Sequence, residues 1–449
     1  MLTTDQGLAK SIANVRTPAL RGSLQALRLS KPRNNVRIGA ADPHDGQVAV
    51  IRTNAASSVR SRYLRLFGAA VAATLALAAC SSNAAKSGGS TAASTVATSA
   101  ASTDNVAYAK AQVAKYEKGL PAPAVDKVVN MPSLSGKTVW YIPIGNSIPA
   151  LATVGKSINS ALSHLGANGH VCDGNFLPTA IASCMSQAVT QGAYAVITAY
   201  IDYSLVPTAF ENLVGHKIPV VVAGEPPSDN RKSDSSLAFF DTTSELDLLG
   251  QIQADAAIAD SNGKANILAM NLTDSSSTKA QTAALKEEVS AHCPGCTFTT
   301  ADMSTAKLSV VPSAVSAALV SNPNIDYVLV GDDTLVPPVI SGIQSAGGTG
   351  KVKVISNAAD LAGLQRIKAN NFQIYDGSDS AVYNGWSFTN ALVRLLAGEA
   401  PIAGDAGTTK LFSKSNVGGL TLTPAEYGTD DWFIGSDWQK QFLTAWNAQ

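Results

Sequence analysis

Short runs of apolar residues alternate with longer stretches of mixed polarity from Lys137 onward. The short runs are rich in Val, Ile and Ala, which is the pattern of strands that are buried on both faces of a parallel sheet. These runs are predicted to be strands, at residues 138–144, 195–199, 219–223, 265–270, 327–330, 352–356 and 372–375. The longer stretches repeat apolar residues every three or four positions, which predicts helices at residues 151–165, 180–191, 243–260, 278–290 and 311–320. This alternation indicates an α/β protein whose parallel sheets are covered by helices on both faces.

Two architectures fit such an alternation, a doubly wound open sheet and a single closed barrel. We favour the doubly wound arrangement, and the single barrel is the main alternative. The chain has 449 residues, which is enough for two lobes and additional segments. In open α/β sheets, ligands bind beyond the carboxyl ends of the strands. Binding residues are therefore expected in the loops that follow the strands.

An export signal precedes this region. Arg60, Arg62 and Arg65 form a basic flank, residues 66–79 are apolar and uncharged, and Cys80 is followed by Ser- and Gly-rich sequence. This order is typical of a signal peptide, and the apolar run is shorter than the roughly 20 residues of a membrane-spanning helix. The sequence LAAC that ends at Cys80 resembles the bacterial lipobox, which implies a lipoprotein signal peptide over residues 59–80 and a lipid anchor on Cys80. The alternative is a buried Ala-rich helix that ends in an ordinary cysteine.

The segments around this signal differ in composition. Residues 1–58 are polar and moderately basic and are assigned no fold; they lie either upstream of a later translation start near Val59 or in a long n-region. Residues 81–104 are rich in Ser, Ala, Thr and Gly, with almost no large apolar side chain, so they are expected to form a flexible tether. Residues 105–136 lead into the first predicted strand.

Charge and composition restrict the partners. The chain has 33 basic and 33 acidic residues, so its formal net charge is zero, and aromatic residues make up 6% of it. A protein without excess positive charge and with few rings is a poor candidate for binding nucleic acid. The five Cys and five His residues are scattered, and no metal or cofactor is expected.

Apart from Cys80, the cysteines fall into two pairs. Cys172 and Cys184 bracket the start of a predicted helix, and Cys293 and Cys296 form a CxxC sequence. In a cytosolic protein, a CxxC would suggest a redox or metal pair. In an exported chain, two structural disulfides are expected, one within each pair.

Several of the predicted elements are landmarks that follow one another in a characteristic order. They are a first strand with a polar exit (YIPIGNSIP), a second strand that leads to Asp173, a later strand (GHKIPVVVAGE), a strand that ends in acidic residues (NPNIDYVLVGDDT) and a long helix with a Gly stop (GWSFTNALVRLLAG). Over about residues 137–398, their order and spacing resemble the type I periplasmic binding proteins, the ribose- and galactose-binding group.

The resemblance implies two lobes, each a doubly wound, Rossmann-like parallel sheet, joined by a three-segment hinge and closing on a solute. Lobe one would contain residues 137–240 and 372–398. Lobe two would contain residues 241–371 and part of 401–449. Hinge crossings are expected near residues 240–241 and 371–375.

Polar side chains at the strand ends are the candidate ligand contacts, because carboxylates, amides and amines supply charge-assisted hydrogen bonds to a polar solute. The candidates in lobe one are Asn146, Ser147, Tyr200, Asp202 and Glu225. The candidates in lobe two are Lys279, Asp332 and Asn357, and Asp376 is placed at the hinge. For each residue, the alternative is a solvated loop position or a helix cap. Asp333 is expected to be the N-cap of a helix that begins at Thr334.

The sequence departs from the resembled group at positions that matter for ligand choice. Members of that group usually have Asp followed by Arg where this chain has Gly224-Glu225, an Arg where Lys279 stands, and an Asp near Ala358. The bidentate guanidinium contact with sugar hydroxyls is therefore missing, which puts a simple pentose or hexose in doubt. If Glu225, Asp332 and Asp376 converge on one cleft, they would suit a cationic or amine-bearing solute.

The resemblance implies an extracytoplasmic solute-binding lipoprotein, acting as a monomer, that delivers a small polar solute, a sugar or a related compound, to the permease of an ABC importer. The alternative is a receptor of the same fold that signals to a membrane kinase. A LacI-type repressor would need an N-terminal helix-turn-helix where this chain has an export signal. The sequence contains no P-loop, HExxH or nucleophile elbow, so a binding protein is favoured over an exported enzyme.

Overall fold

The computed structural model describes residues 93–400, 407–433, 435 and 437–448. The unassigned residues 1–58 and the predicted signal peptide 59–80, including Cys80, lie outside the described residues. The expected tether, 81–104, is described only from Ala93, where helix α1 (Ala93–Tyr116) begins. Residues 93–104 are therefore helical, contrary to the tether prediction. Alanine has the highest intrinsic helix propensity, and the helix continues into a segment that packs on the rest of the protein.

The first sheet is built from five strands that are all parallel. They are β1 (Thr138–Pro143), β2 (Asn168–Val171), β3 (Ala195–Ala199), β4 (Val220–Ala223) and β5 (Leu237–Phe240). Their spatial order is β2-β1-β3-β4-β5. The helices on this sheet are α2 (Pro149–His164), α3 (Pro178–Thr190), α4 (Pro207–Gly215) and α10 (Ala381–Ala397). We call this sheet and its helices lobe one.

The second sheet has six strands, and its last strand is antiparallel. They are β6 (Asn266–Leu272), β7 (Thr297–Met303), β8 (Tyr327–Leu329), β9 (Lys353–Asn357), β10 (Gln373–Ser378) and β11 (Lys410–Ser413). Their spatial order is β11-β10-β9-β8-β6-β7. The associated helices are α5 (Thr243–Ser261), α6 (Ser276–His292), α7 (Val311–Ser321), α8 (Val336–Ser345) and α9 (Leu361–Lys368). We call this assembly lobe two.

Helices cover both faces of each sheet, and successive strand residues point to opposite faces. In β1, Trp140 packs with residues of α3 and α4, whereas Tyr141 packs with residues of α2 and α10. In β6, Leu268 packs with residues of α7 and α8, whereas Ile267 packs with residues of α5 and α6. Strands buried on both faces must be apolar throughout, which is why the sequence shows them as continuous apolar runs.

The predicted fold class, two doubly wound parallel sheets, is confirmed, with two kinds of correction. The sequence patterns missed β5, β7 and β11; in β7, exposed Thr residues interrupt the apolar run. In addition, β10 pairs with β9 and β11 in the second sheet, whereas the sequence assigned residues 372–398 as a whole to lobe one. An apolar run predicts a strand but carries no signal for which of two similar sheets the strand joins.

The chain passes between the lobes at three places. The first passage follows Phe240, the last residue of β5, and leads into α5. The second lies between Ser378, at the end of β10, and Ala381, at the start of α10; it therefore comes after residues 371–375, where the sequence placed it. The third leads from the end of α10 at Ala397 to β11.

The two ends of the described chain pack on different lobes. Helix α1 lies along α5 of lobe two, where Ala109 and Val113 join its core. The C-terminal helix α12 (Gln439–Ala445) lies on α10 of lobe one. There Trp446 stacks on Trp386 at 5.4 Å between ring centroids, and its indole N–H donates to Asn390 Oδ1 at 2.9 Å. Between them, the short helix α11 (Pro424–Tyr427) belongs to a tail segment that packs on α9.

Among the described helices, none has both the length and the apolar composition needed to cross a bilayer.

Candidate functional site

A cavity of about 180 Å³ lies between the two lobes, at the carboxyl ends of their strands. In lobe one it is bordered by the loops that follow β1, β3 and β4, and in lobe two by those that follow β6, β8 and β9. The strand order reverses between β1 and β3 in one sheet and between β6 and β8 in the other. Such reversal points leave a crevice outside the strand ends, which is where open α/β sheets bind ligands.

Two carboxylates of lobe one contact the beginning of α6 in lobe two. Asp202 Oδ2 accepts a hydrogen bond from Ser276 Oγ at 2.5 Å. Glu225 accepts hydrogen bonds from Ser277 Oγ at 2.8 Å, from Ser277 N–H at 3.2 Å and from Ser275 Oγ at 3.3 Å. We call these contacts the interlobe clasp. The first N–H groups of a helix lack partners within the helix and favour negative charge, so carboxylates are suitable partners for them.

The Glu225 carboxyl is buried, with 1% of its surface exposed. Burial raises its pKa to about 7; the hydrogen bonds from Ser277 oppose that rise, and the negative charge of Asp202 adds to it. Glu225 therefore retains its proton to a higher pH than an exposed glutamate does. This part of the clasp is sensitive to small changes in pH and in nearby charge.

Asp202 behaves in the opposite way. Burial alone would raise its pKa, but hydrogen bonds from Ser276 and Ser204 outweigh this effect, and the pKa is lowered overall. Its other oxygen, Oδ1, accepts from the Ser204 N–H at 2.8 Å and from the Ser204 hydroxyl at 2.7 Å. Asp202 therefore remains ionised at neutral pH, with a hydrogen-bond donor on each oxygen.

Asp332 lines the cavity from lobe two at the end of β8. Its Oδ1 accepts from the Thr334 N–H at 2.8 Å and from the Thr334 hydroxyl, so Asp332 caps the short turn Asp333–Leu335. Burial raises its pKa to about 6, and the neighbouring charge of Asp333 adds to this rise. Within the described part of the chain, Oδ2 has no hydrogen-bond partner.

Two amide side chains line the cavity in lobe two. Asn357, at the end of β9, is 2% exposed. With its amide nitrogen facing the carbonyls of Ser356 and Gly377, at 2.9 and 3.1 Å, its oxygen accepts from Gln281 Nε2. Gln281 belongs to α6 and also lines the cavity. This arrangement fixes the Asn357 amide beside the cavity.

Most of the cavity wall is apolar. The large apolar side chains that line it are Ile144, Ile148, Leu151, Val154, Phe176, Leu205, Leu246, Leu249, Leu272, Leu308 and Leu335. Phe176 packs so closely on Gly145 that a Cβ at that position would overlap its ring. The site therefore combines a few polar groups with an extended hydrocarbon surface, as small-molecule sites commonly do.

Tyr200 lies at the end of β3 with a left-handed backbone, at φ 55°. Its ring packs on Gly224, where a Cβ would come within 2.8 Å of it. Gly224 itself has φ +86°, a conformation that favours glycine. This glycine thus allows both the turn that presents Glu225 and the close approach of the Tyr200 ring.

Four of the predicted contacts do not line the cavity: Asn146, Ser147, Lys279 and Asp376. The backbone N–H of Asn146 donates to Asp173 Oδ1 at 2.8 Å, and it is the flanking Ile144 and Ile148 that reach the cavity. Lys279 is exposed, because α6 turns Ser277, Thr278 and Gln281 toward the cavity instead.

Asp376 also lies away from the cavity, in the core of lobe two. It accepts from the Ala359 N–H at 2.9 Å and from Gln373 Nε2 at 3.0 Å. Asp333, which the sequence predicted to be an N-cap, lies beside it and accepts from Ser356 Oγ at 2.7 Å and Gln373 Nε2 at 3.0 Å. The cap is Asp332, one residue earlier, so both predictions are corrected.

The sequence reasoning missed the serines of the clasp and the apolar walls. The serines stand in the run Asp274-Ser275-Ser276-Ser277, directly after β6, and such a run of hydroxyl residues at a helix start is a recognisable capping signal. The apolar side chains carried no signal of their own, because the sequence alone does not separate a residue that lines a cleft from one in the core.

Both expected cysteine pairs are disulfides in the structure and lie outside the cavity. Cys172–Cys184 joins the loop after β2 to α3, and Cys293–Cys296 closes the turn after α6. Within the described ranges, no three His, Cys, Asp or Glu side chains are arranged to hold a metal ion.

The family model described as "Periplasmic binding protein domain" matches residues 139–400, which is more than half of the chain. The chain belongs to the periplasmic binding protein family. Members of this family are extracytoplasmic solute-binding proteins, and the matched region contains nearly all of both lobes. No curated protein matches this periplasmic binding protein in a sequence search.

Solved structures of transporter proteins share the fold of this periplasmic binding protein. A 5-methylthioribose transporter solute-binding protein from Thermotoga lettingae, with 5-methylthioribose, has a TM-score of 0.58 and 14% identity, covering 72% of this chain and 99% of that one. An ABC transporter solute-binding protein from Agrobacterium vitis, bound with α-D-tagatopyranose, has a TM-score of 0.57 and 18% identity. The match covers 67% of this chain and 100% of that one. The myo-inositol binding protein of Caulobacter has a TM-score of 0.54 and 19% identity. The match covers 66% of this chain and 97% of that one. At these identities the likeness establishes the fold.

Proposed function

We propose that this protein is a lipid-anchored extracytoplasmic receptor that captures a small polar solute between its lobes and delivers it to the permease of an ABC importer. The observation that carries the proposal is the cavity at the strand ends, which side chains of both lobes line and the interlobe clasp bridges. Opening and closing of such lobes about their crossings would admit and retain a solute. Lipidation at Cys80 would keep the receptor at the membrane surface.

The ligand contacts that we assign are the predicted residues that line the cavity, namely Tyr200, Asp202, Glu225, Asp332 and Asn357. The named ligands of the similar structures are sugars or polyols, so this class is the first to test. The receptor would act as a monomer and without a cofactor. We assign it no catalytic step.

Mass spectrometry of small molecules that co-purify with residues 93–449 would test the proposal, followed by thermal denaturation with each candidate. A solute at 100 times its dissociation constant should stabilise the folded protein by about 2.7 kcal/mol. Asp332→Ala should abolish most of this stabilisation, and Glu225→Ala should reduce it. A full shift in both variants would place the solute elsewhere. A protein that neither retains nor responds to any small molecule would contradict the receptor function itself.

A further inference from the structure

We infer that the solute is a small organic cation, whose ammonium group binds at Asp332, in the cavity that Glu225 also lines, and whose hydrocarbon body lies on the apolar walls of that cavity. This inference rests on the proposed receptor function and narrows it to one class of ligand. Four features of the cavity carry it: its charge, the bonding of its carboxylates, its walls and its size.

The ionisable side chains that carry charge in the cavity lining are all acidic. The carboxylates that line it are Asp202, Glu225, Asp274, Asp332 and Asp379. Among its lining residues, all within the described part of the chain, there is no Lys, Arg or His. Lys279, which lies outside the lining, acts electrostatically on Asp202 from an exposed position. A buried carboxylate is stable when it is paired with opposite charge, and here a bound cation would supply that charge.

The bonding of these carboxylates identifies where the cation would sit. Neutral donors already occupy both oxygens of three of them: Asp202 is bonded to Ser204 and Ser276, Asp274 to Ser304 and Thr305, and Glu225 to Ser277. Asp379 accepts from Asn384 on Oδ2. Asp332 has a partner on Oδ1 and none on Oδ2 within the described residues. Asp332 therefore offers a free carboxylate oxygen to an ammonium group, as Asp379 Oδ1 also does within the described residues, and the negative charge of the buried Glu225 lines the same cavity from lobe one.

The apolar walls of the cavity disfavour a ligand that carries hydroxyl groups over its whole surface. The leucine, isoleucine and phenylalanine side chains that surround the polar groups offer no hydrogen bonds. Each sugar hydroxyl placed against them would stay unpaired, which weakens binding by about tenfold or more. A hydrocarbon group that packs against the same walls removes apolar surface from water, which favours binding.

The size of the cavity limits that body. An engineered apolar cavity of about 150 Å³ accommodates benzene. A cavity of about 180 Å³ accordingly fits a solute of a similar or slightly larger size, with roughly six to ten non-hydrogen atoms. Arylalkylamines and cycloalkylamines have these dimensions.

The carboxyl groups beside the proposed ammonium position titrate near neutral pH. Burial raises the pKa of Glu225 to about 7 and that of Asp332 to about 6. A cation favours the ionised forms, so its binding should release protons and strengthen as the pH rises from 6 to 8. The other titratable groups around the site are Asp202, Asp274, Asp379, Tyr200 and the exposed Lys279, together with Asp333 and Asp360, whose charges interact with that of Asp332.

The test is calorimetric titration of two matched pairs of probes, phenethylamine against 2-phenylethanol and cyclohexylmethylamine against cyclohexylmethanol, with myo-inositol and 5-methylthioribose as polyol probes. We expect at least one amine to bind at least tenfold more tightly than its alcohol and to bind more tightly at pH 8 than at pH 6. Asp332→Asn should weaken the amine at least tenfold and leave the alcohol unchanged. Asp229→Asn, the same change at an exposed position, should affect neither.

The outcomes separate this inference from the receptor function. If neither amine binds more tightly than its alcohol, or if Asp332→Asn leaves amine binding intact, the cation inference is overturned. Binding of a polyol in the absence of amine binding would also overturn it, while supporting the receptor function. If no probe binds and no small molecule co-purifies with the protein, the receptor function fails as well.

Discussion

Asp332 and Asp333 are neighbours in sequence, but they belong to two different groups of carboxylates. The cavity carboxylates, Asp202, Glu225 and Asp332, lie at the edge of the cleft, and their partners are hydroxyl and backbone N–H groups. The core carboxylates, which we define as Asp333, Asp360 and Asp376, lie inside lobe two. The two groups share residue type and position near the strand ends, so their roles are distinguished by their partners.

The core carboxylates form a closed network. Asp333 Oδ2 accepts from the Asp360 N–H at 2.8 Å, Gln373 bonds to both Asp333 and Asp376, and the Arg366 guanidinium lies 3.5 Å from Asp333. Tyr427 of the tail donates to Asp360 Oδ1 at 2.7 Å. Burial raises the pKa of Asp360 to about 8, with repulsion from Asp333 adding to it. This network joins β9, β10, α9 and the tail, and none of its three carboxylates lines the cavity.

The largest expected difference between the two groups is in stability. Asp333→Ala leaves the Ser356 hydroxyl and the Asp360 N–H without their acceptor and removes the carboxylate beside the Arg366 guanidinium. It should therefore lower the free energy of unfolding by about 3–5 kcal/mol. Asp332→Ala removes one cap and should cost about 1 kcal/mol. Urea denaturation of both variants would measure the two losses in the free energy of unfolding. Equal losses, or a larger loss for Asp332→Ala, would remove the distinction between the two groups.

A smaller effect is expected in the pH dependence of the clasp. Because the pKa of Glu225 in the folded protein is raised above its ordinary value of 4.5, to about 7, its contribution to stability is greatest below pH 4.5 and is lost as the pH rises through 7. The full change is about 3 kcal/mol. Glu225→Gln should make the stability curve flatter than that of the wild type between pH 5 and 8, as measured by thermal denaturation. The same slope in both proteins would show that Glu225 is ionised normally.

The smallest effect is expected at Asp202, and with the opposite sign. Its pKa is lowered in the folded protein, so it stabilises the protein above its ordinary pKa of 3.8, and this contribution is lost as the pH falls through the lowered value. Asp202→Asn should therefore cost about 1 kcal/mol or less at pH 7, and the difference should shrink on acidification. A difference that grows in acid would contradict the hydrogen bonds assigned to Asp202.

The sequence predicts the α/β architecture well because strands buried on both faces have to be apolar along their whole length. The predicted strand at residues 195–199 coincides with β3. Edge strands such as β7 carry exposed polar residues and are missed for that reason. The sheet to which β10 belongs depends on packing between distant segments, and no local pattern encodes it.

The sequence predicts that the candidate site lies at the carboxyl ends of the strands, but it does not predict which individual side chains line it. Tyr200, Asp202, Glu225, Asp332 and Asn357 line the cavity as expected. Lys279 does not, because side chains two residues apart lie on nearly opposite sides of a helix, and Ser277 takes the cavity side. Asp376 turns into the core because alternate strand residues point to opposite faces of a sheet.

The most direct test is a crystal structure of the protein with the solute that mass spectrometry finds bound to it. We expect the solute between the lobes, with a polar group within hydrogen-bond distance of Asp332 Oδ2 and none near Asp333. A solute bound on the outer surface, or a cleft that stays empty while the solute is bound elsewhere, would contradict the assignment of this cavity as the binding site.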